Sequence, residues 1–109
     1  MIAEKIKYQM RRGLLEYCVL QILSKKEGYA SDLIEELQKV NLLSVEGIIY
    51  PLLVKFKQEG LVNYEWENSE GGLPKKNYQL TEEGKKTAEQ LKQEFKLLIG
   101  ITNGLNPEA

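Results

Sequence analysis

In the segment RRGLLEYCVLQILSKK, residues 11 to 26, apolar side chains run nearly all the way round a helical wheel. Leu14, Leu15, Tyr17, Cys18, Val19, Leu20, Ile22 and Leu23 leave no wide polar face, so this helix wants burial on more than one side. GYASDLIEELQKV, 28 to 40, predicts a second helix with Leu33, Ile34 and Leu37 inward and Asp32, Glu35 and Glu36 outward. A third follows in SVEGIIYPLLVKFKQEG, 44 to 60, with Ile49, Leu52, Leu53 and Phe56 on one face, an end near Glu59 and Gly60 as the stop.

The period then changes from helical to alternating. LVNYEWE, 61 to 67, sets Val62, Tyr64 and Trp66 against Asn63, Glu65 and Glu67, the pattern of a half-buried strand with Trp66 on its inner face. KKNYQLT, 75 to 81, supplies a returning strand with Tyr78 and Leu80 on one face. The loop between them holds the turn residues NSEGG and is too long for a tight hairpin. Thr81 before Glu82 and Glu83 reads as the N-cap of a last helix over 82–99. Its stripe is Ala88, Leu91, Phe95, Leu98 and Ile99, and TNGLNPEA frays out through Gly104 and Pro107.

Three helices, two strands and a helix make a mostly α member of the α+β class: a winged helix-turn-helix with a C-terminal dimerisation helix. Residues 1–109 are expected to form one domain, with a winged-helix DNA-binding part at 1–81 and the dimerisation helix at 82–104. The first helix is too apolar for one small domain to cover and the last carries an unsatisfied stripe, so a two-fold dimer burying both is the economical arrangement.

Composition narrows the chemistry. With 42% hydrophobic and 28% charged residues the chain is an ordinary globular protein. One cysteine and no histidine exclude an internal disulfide, the usual zinc ligand sets and histidine-based catalysis, so no enzyme, cofactor or metal is expected. Cys18 reads as a small buried residue. No apolar run approaches a membrane span and MIAEKIKYQMRR has no signal-peptide core, which places the protein in the cytoplasm, away from membranes. A net charge of −1 gives no global pull on nucleic acid, so DNA contact would depend on local basic patches.

The motifs RRGLLEYCVLQIL, GYASDLI, GIIYPLLVKFKQEGLV and GGLPKKNYQLTEEG resemble, as a set, the PadR-like family of bacterial transcriptional regulators in its short form with a single C-terminal helix. The resemblance covers about residues 10 to 84 closely and implies a homodimer that binds double-stranded operator DNA, usually a repressor released by a small molecule. In multidrug-binding relatives a tryptophan on the last helix stacks flat aromatic ligands near the dimer axis. Counted from Thr81, the corresponding position is Phe95. Members often carry a histidine where this chain has Glu27, and an arginine before the second wing strand where it has Lys75 and Lys76. Lysine is a point charge, so this wing is expected to hold phosphate rather than read bases.

The third helix carries two residues that normally break helices, Gly47 and Pro51. Pro51 removes a backbone bond to the Gly47 carbonyl, which loosens the first turn of the recognition helix and frees its N–H groups for a phosphate. The alternative is that both only shape the turn. The expected DNA-contacting set is Arg11, Arg12, Tyr29, Ser44, Glu46, Gly47, Tyr50, Lys55, Lys57, Lys75 and Lys76. Within it, Glu46 either accepts from a cytosine amino group or caps the helix, and Tyr50 either touches DNA or braces the wing. The expected dimer interface is Leu14, Tyr17, Cys18, Ala88, Leu91, Phe95, Leu98 and Ile99. Leu14, Tyr17, Leu91, Phe95 and Ile99 would line a site for a small hydrophobic or aromatic effector, against the plainer reading of the stripe as core or seam. The competing function is a winged-helix interaction module that dimerises or docks a partner without reading DNA.

Overall fold

The computed structural model describes residues 1–43, 46–68 and 70–105. The order is α1 (Ile2–Lys25), α2 (Ala30–Lys39), a 3-10 turn (Glu46–Ile48), α3 (Ile49–Gln58), β1 (Val62–Glu67), β2 (Lys75–Leu80) and α4 (Glu82–Leu105). Leu15, Val19, Leu20 and Leu23 of α1 meet Leu33, Ile34 and Leu37 of α2 and Ile49, Leu52, Leu53 and Phe56 of α3 in one core, closed by Val62, Tyr78 and Ala88. No described helix is long and apolar enough to cross a membrane.

Three expectations are corrected. Helix α1 begins at Ile2, not near residue 11, and its first ten residues are exposed, so no buried stripe announced them. Helix α4 runs to Leu105, so the fraying expected after 99 is corrected while the 82–104 bound expected for this helix is met within one residue; Pro107 lies outside the described residues. Helix α3 starts at Ile49, which makes Pro51 its third residue. The first four N–H groups of a helix have no acceptor inside it, so Pro51 removes no bond there. The loosened turn expected around Gly47 is a 3-10 turn, Glu46–Ile48, that leads directly into α3.

The caps explain where the other elements stop. Gly60, at φ 76°, ends α3 in the left-handed conformation that glycine adopts without strain. The Thr81 hydroxyl accepts from the Gly84 N–H at 3.0 Å and donates to the Gly60 carbonyl at 2.6 Å, so one side chain caps α4 and pins it to the end of α3.

Strands β1 and β2 pair antiparallel, with Val62 opposite Leu80, Tyr64 opposite Tyr78 and Trp66 opposite Lys76. Gly28 adds a bridge on the other edge of β2, its N–H and carbonyl both paired with Tyr78. Beneath it Asn77 is buried and donates to Glu27 at 3.1 Å. The wing is therefore tied to the segment that opens α2.

Candidate nucleic-acid interface

Tyr29 directly precedes α2, and its N–H donates to the Asp32 carboxylate at 2.9 Å, which closes the first turn of the helix. Its phenol reaches the wing and donates to Glu67 Oε1 at 2.5 Å. That hydrogen bond to a carboxylate holds the Tyr29 pKa above the ordinary phenol value.

Between the start of α2, α3 and the wing lies an open cleft of about 400 Å³. Tyr29, Ala30, Ser31, Tyr50, Trp66, Pro74, Lys75, Lys76 and Tyr78 line it. Four expected DNA-contacting residues, Tyr29, Tyr50, Lys75 and Lys76, thus come together from three separate elements. Tyr50 and Val54 are each 53% exposed on the same flank of α3, clear of its buried face.

The cations sit on aromatic rings. Lys75 Nζ lies 5.4 Å from the centre of the Tyr29 ring, and Lys76 Nζ lies 4.5 Å from Tyr64 and 5.3 Å from Trp66. Lys57 reaches from α3 to within 5.9 Å of the Tyr64 ring. These contacts hold flexible ammonium groups close to one surface without neutralising them.

The remaining expected residues lie elsewhere. Lys55 Nζ pairs with Glu16 of α1 at 2.7 Å, a contact that raises the lysine pKa, and Arg12 approaches the same carboxylate at 3.8 Å. The Arg11 guanidinium donates to the Asn41 carbonyl. None of these three lines the cleft. Glu46 and Gly47 are exposed in the 3-10 turn, where Gln38 donates to Glu46 at 3.5 Å. Among the described residues a side chain at Gly47 would meet nothing within 4 Å, so their packing does not demand a glycine there. Ser44 lies outside the described residues.

Sequence reasoning missed Ser31, Pro74 and Trp66 as cleft residues. Alternation gave Trp66 the correct strand face, but the expected burial is corrected: the side chain is 62% exposed. The wing projects past the helices, so the face that is core at Val62 is solvent-facing at Trp66.

A second feature lies between α1 and α4. Tyr17 and Phe95 stack with ring centres 4.9 Å apart and planes 11° apart. Beside them an open apolar groove of about 630 Å³ is lined by Met10, Leu14, Tyr17, Leu91, Phe95 and Leu98 among others. Ile99 is not part of its lining, and Ala88 is already covered within the chain. Cys18 is half-buried against the core, and burial pushes its thiol pKa up. Ile6, Met10, Leu98, Ile101 and Leu105 all expose apolar surface on the same two helices.

The family model described as "Transcriptional regulator PadR-like family" matches residues 19–90. Among solved structures the chain is similar to a PadR-like transcription factor from Bacteroides fragilis, at 42% identity and TM-score 0.79, over 93% of this chain and 98% of that one. It is also similar to a PadR-like transcriptional regulator from Bacillus cereus, at 35% identity and TM-score 0.79, over 89% and 95% of the two chains. A third likeness is to Bacillus subtilis PadR solved in complex with operator DNA, at 28% identity and TM-score 0.65, over 71% of this chain and 45% of that one. No curated protein matches.

Proposed function

The chain belongs to the PadR-like family of transcriptional regulators, and we propose that it acts as a homodimeric repressor binding two-fold-related operator DNA through α3 and the wing. Its role is regulatory, not enzymatic. The observation that carries the DNA reading is the cleft in which Tyr29, Tyr50, Lys75 and Lys76 converge. Lysines on the wing suit phosphate oxygens, and Tyr50 with Val54 suits the groove edge of the bases. At the entrance to α3, Gly47 leaves room for a backbone phosphate.

Dimerisation is supported by the apolar surface left open on α1 and α4, which a two-fold partner would bury. Leu14, Tyr17, Leu91, Phe95, Leu98 and Ile99 form the proposed seam. The same groove is the proposed place for a small hydrophobic effector that releases DNA, with the stacked Tyr17 and Phe95 as its aromatic wall.

Selection of duplexes from a random library by the purified protein tests this function. An inverted repeat with half-site centres about 34–36 Å apart is expected. A pool no richer in any sequence than the input would refute it.

A further inference from the structure

We propose that Trp66 is a DNA-contacting residue of the wing, its indole packing on a deoxyribose of the operator backbone while Lys75 and Lys76 hold the flanking phosphates. The inference rests on the DNA-binding function proposed above and adds to it a residue and the chemical group it meets.

Trp66 ends an aromatic ladder that starts in the core. Tyr78 and Tyr64 have ring centres 5.7 Å apart, and Tyr64 meets Trp66 edge-on at 5.9 Å. Tyr78 is buried and Tyr64 half-buried, whereas the indole stands 62% exposed beside the α3 cleft. Leaving so large an apolar ring in water is unfavourable, and a partner that covers it gains that area.

The charges around the ring identify the partner. Lys76 lies opposite Trp66 in register and places its ammonium over the indole. Lys75 lines the same cleft, and Lys57 approaches Tyr64 from α3. Glu65 and Glu67, which accept from Gln79 and Tyr29, alternate onto the strand face opposite Trp66. An apolar ring with the Lys76 ammonium over it and Lys75 in the same cleft fits alternating sugar and phosphate, an apolar surface between two anions. A purely hydrophobic protein partner would leave those cations desolvated and unpaired.

Trp66 is the only tryptophan in the chain, so its fluorescence reports on this position alone. The experiment measures acrylamide quenching of the intact protein with and without the selected duplex, alongside anisotropy of labelled duplex with wild type and Trp66→Ala. Bound DNA should shield the indole from acrylamide, and Trp66→Ala should weaken binding by about 10- to 30-fold, as for a buried aromatic contact, with thermal melting unchanged. Duplex binding that leaves acrylamide access and the Trp66→Ala affinity unaltered would overturn the proposal. Shielding that appears on raising protein concentration without DNA would mean that a second copy covers the ring, and would overturn it too. Absence of any anisotropy change is a distinct failure, that of the DNA-binding function itself, and the Trp66 contact falls with it.

Discussion

The Tyr29 phenol and the Glu67 carboxylate, 38 residues apart in the chain, are joined by a 2.5 Å hydrogen bond that ties the start of α2 to the outer end of the wing. The wing also meets this segment through the Gly28 bridge, the Asn77–Glu27 hydrogen bond and Lys75 over the Tyr29 ring, none of which needs the Tyr29 hydroxyl. Tyr29→Phe should therefore loosen the wing alone, with faster amide exchange over 62–67 and 75–80 and unchanged exchange in α4. Equal exchange in wild type and variant would mean that the bond carries no tether. The raised Tyr29 pKa sets the pH sense: the bond is fully present below the ordinary phenol pKa and is lost as pH rises through the higher folded value.

Lys55 and Lys57 are two positions apart on α3 and point to different neighbours, Glu16 of α1 and the Tyr64 ring of the wing. If phosphate is held on the wing side, Lys57→Ala should lower the slope of log affinity against log salt by about 1 unit, whereas Lys55→Ala should leave it unchanged. The reverse pattern would move the DNA surface to the α1 side.

Gly84 packs where no side chain fits. An alanine Cβ would collide with the Leu61 carbonyl oxygen and lie 3.3 Å from Leu80 Cβ. That carbonyl is fixed by the Thr81 N–H at 3.0 Å, so it has little freedom to move away. Gly84→Ala should cost about 1–3 kcal/mol, read as a lower denaturation midpoint at unchanged slope. A midpoint equal to that of wild type would contradict the close approach of α4 to Leu61, just before β1.

Leu98 is 49% exposed on α4 and lines the groove against α1. Because it is not core in the single chain, Leu98→Asp should leave helix content intact while raising the dimer dissociation constant by about 10-fold or more in sedimentation equilibrium. A variant that dimerises like wild type would place the seam elsewhere.

What the sequence disclosed follows from what was periodic. Leu33, Ile34 and Leu37, and Ile49, Leu52, Leu53 and Phe56, are all buried as their 3.6-residue spacing implies. The start of α1 was missed although Ile2, Ile6 and Met10 recur every fourth residue, because that thin stripe is set among charges and stays exposed in the single chain. The cleft was half legible: the residue types of Tyr29, Tyr50, Lys75 and Lys76 suggested phosphate contact. Spacing along one strand does not report how far the wing outruns the helices, so the exposure of Trp66 was hidden. Nor does the type of a lysine report its rotation about the helix, which turns Lys55 toward Glu16.

Whether DNA lies in the cleft between α3 and the wing is read from the salt dependence of operator binding in wild type and in the double variant Lys75→Ala, Lys76→Ala. Anisotropy of a labelled operator duplex at several salt concentrations should show weaker binding by the double variant and a slope of log affinity against log salt shallower by up to about 2 units, with the same sequence still preferred. Identical affinity and slope for the two proteins would show that the wing lysines meet no phosphate and that DNA does not lie in this cleft.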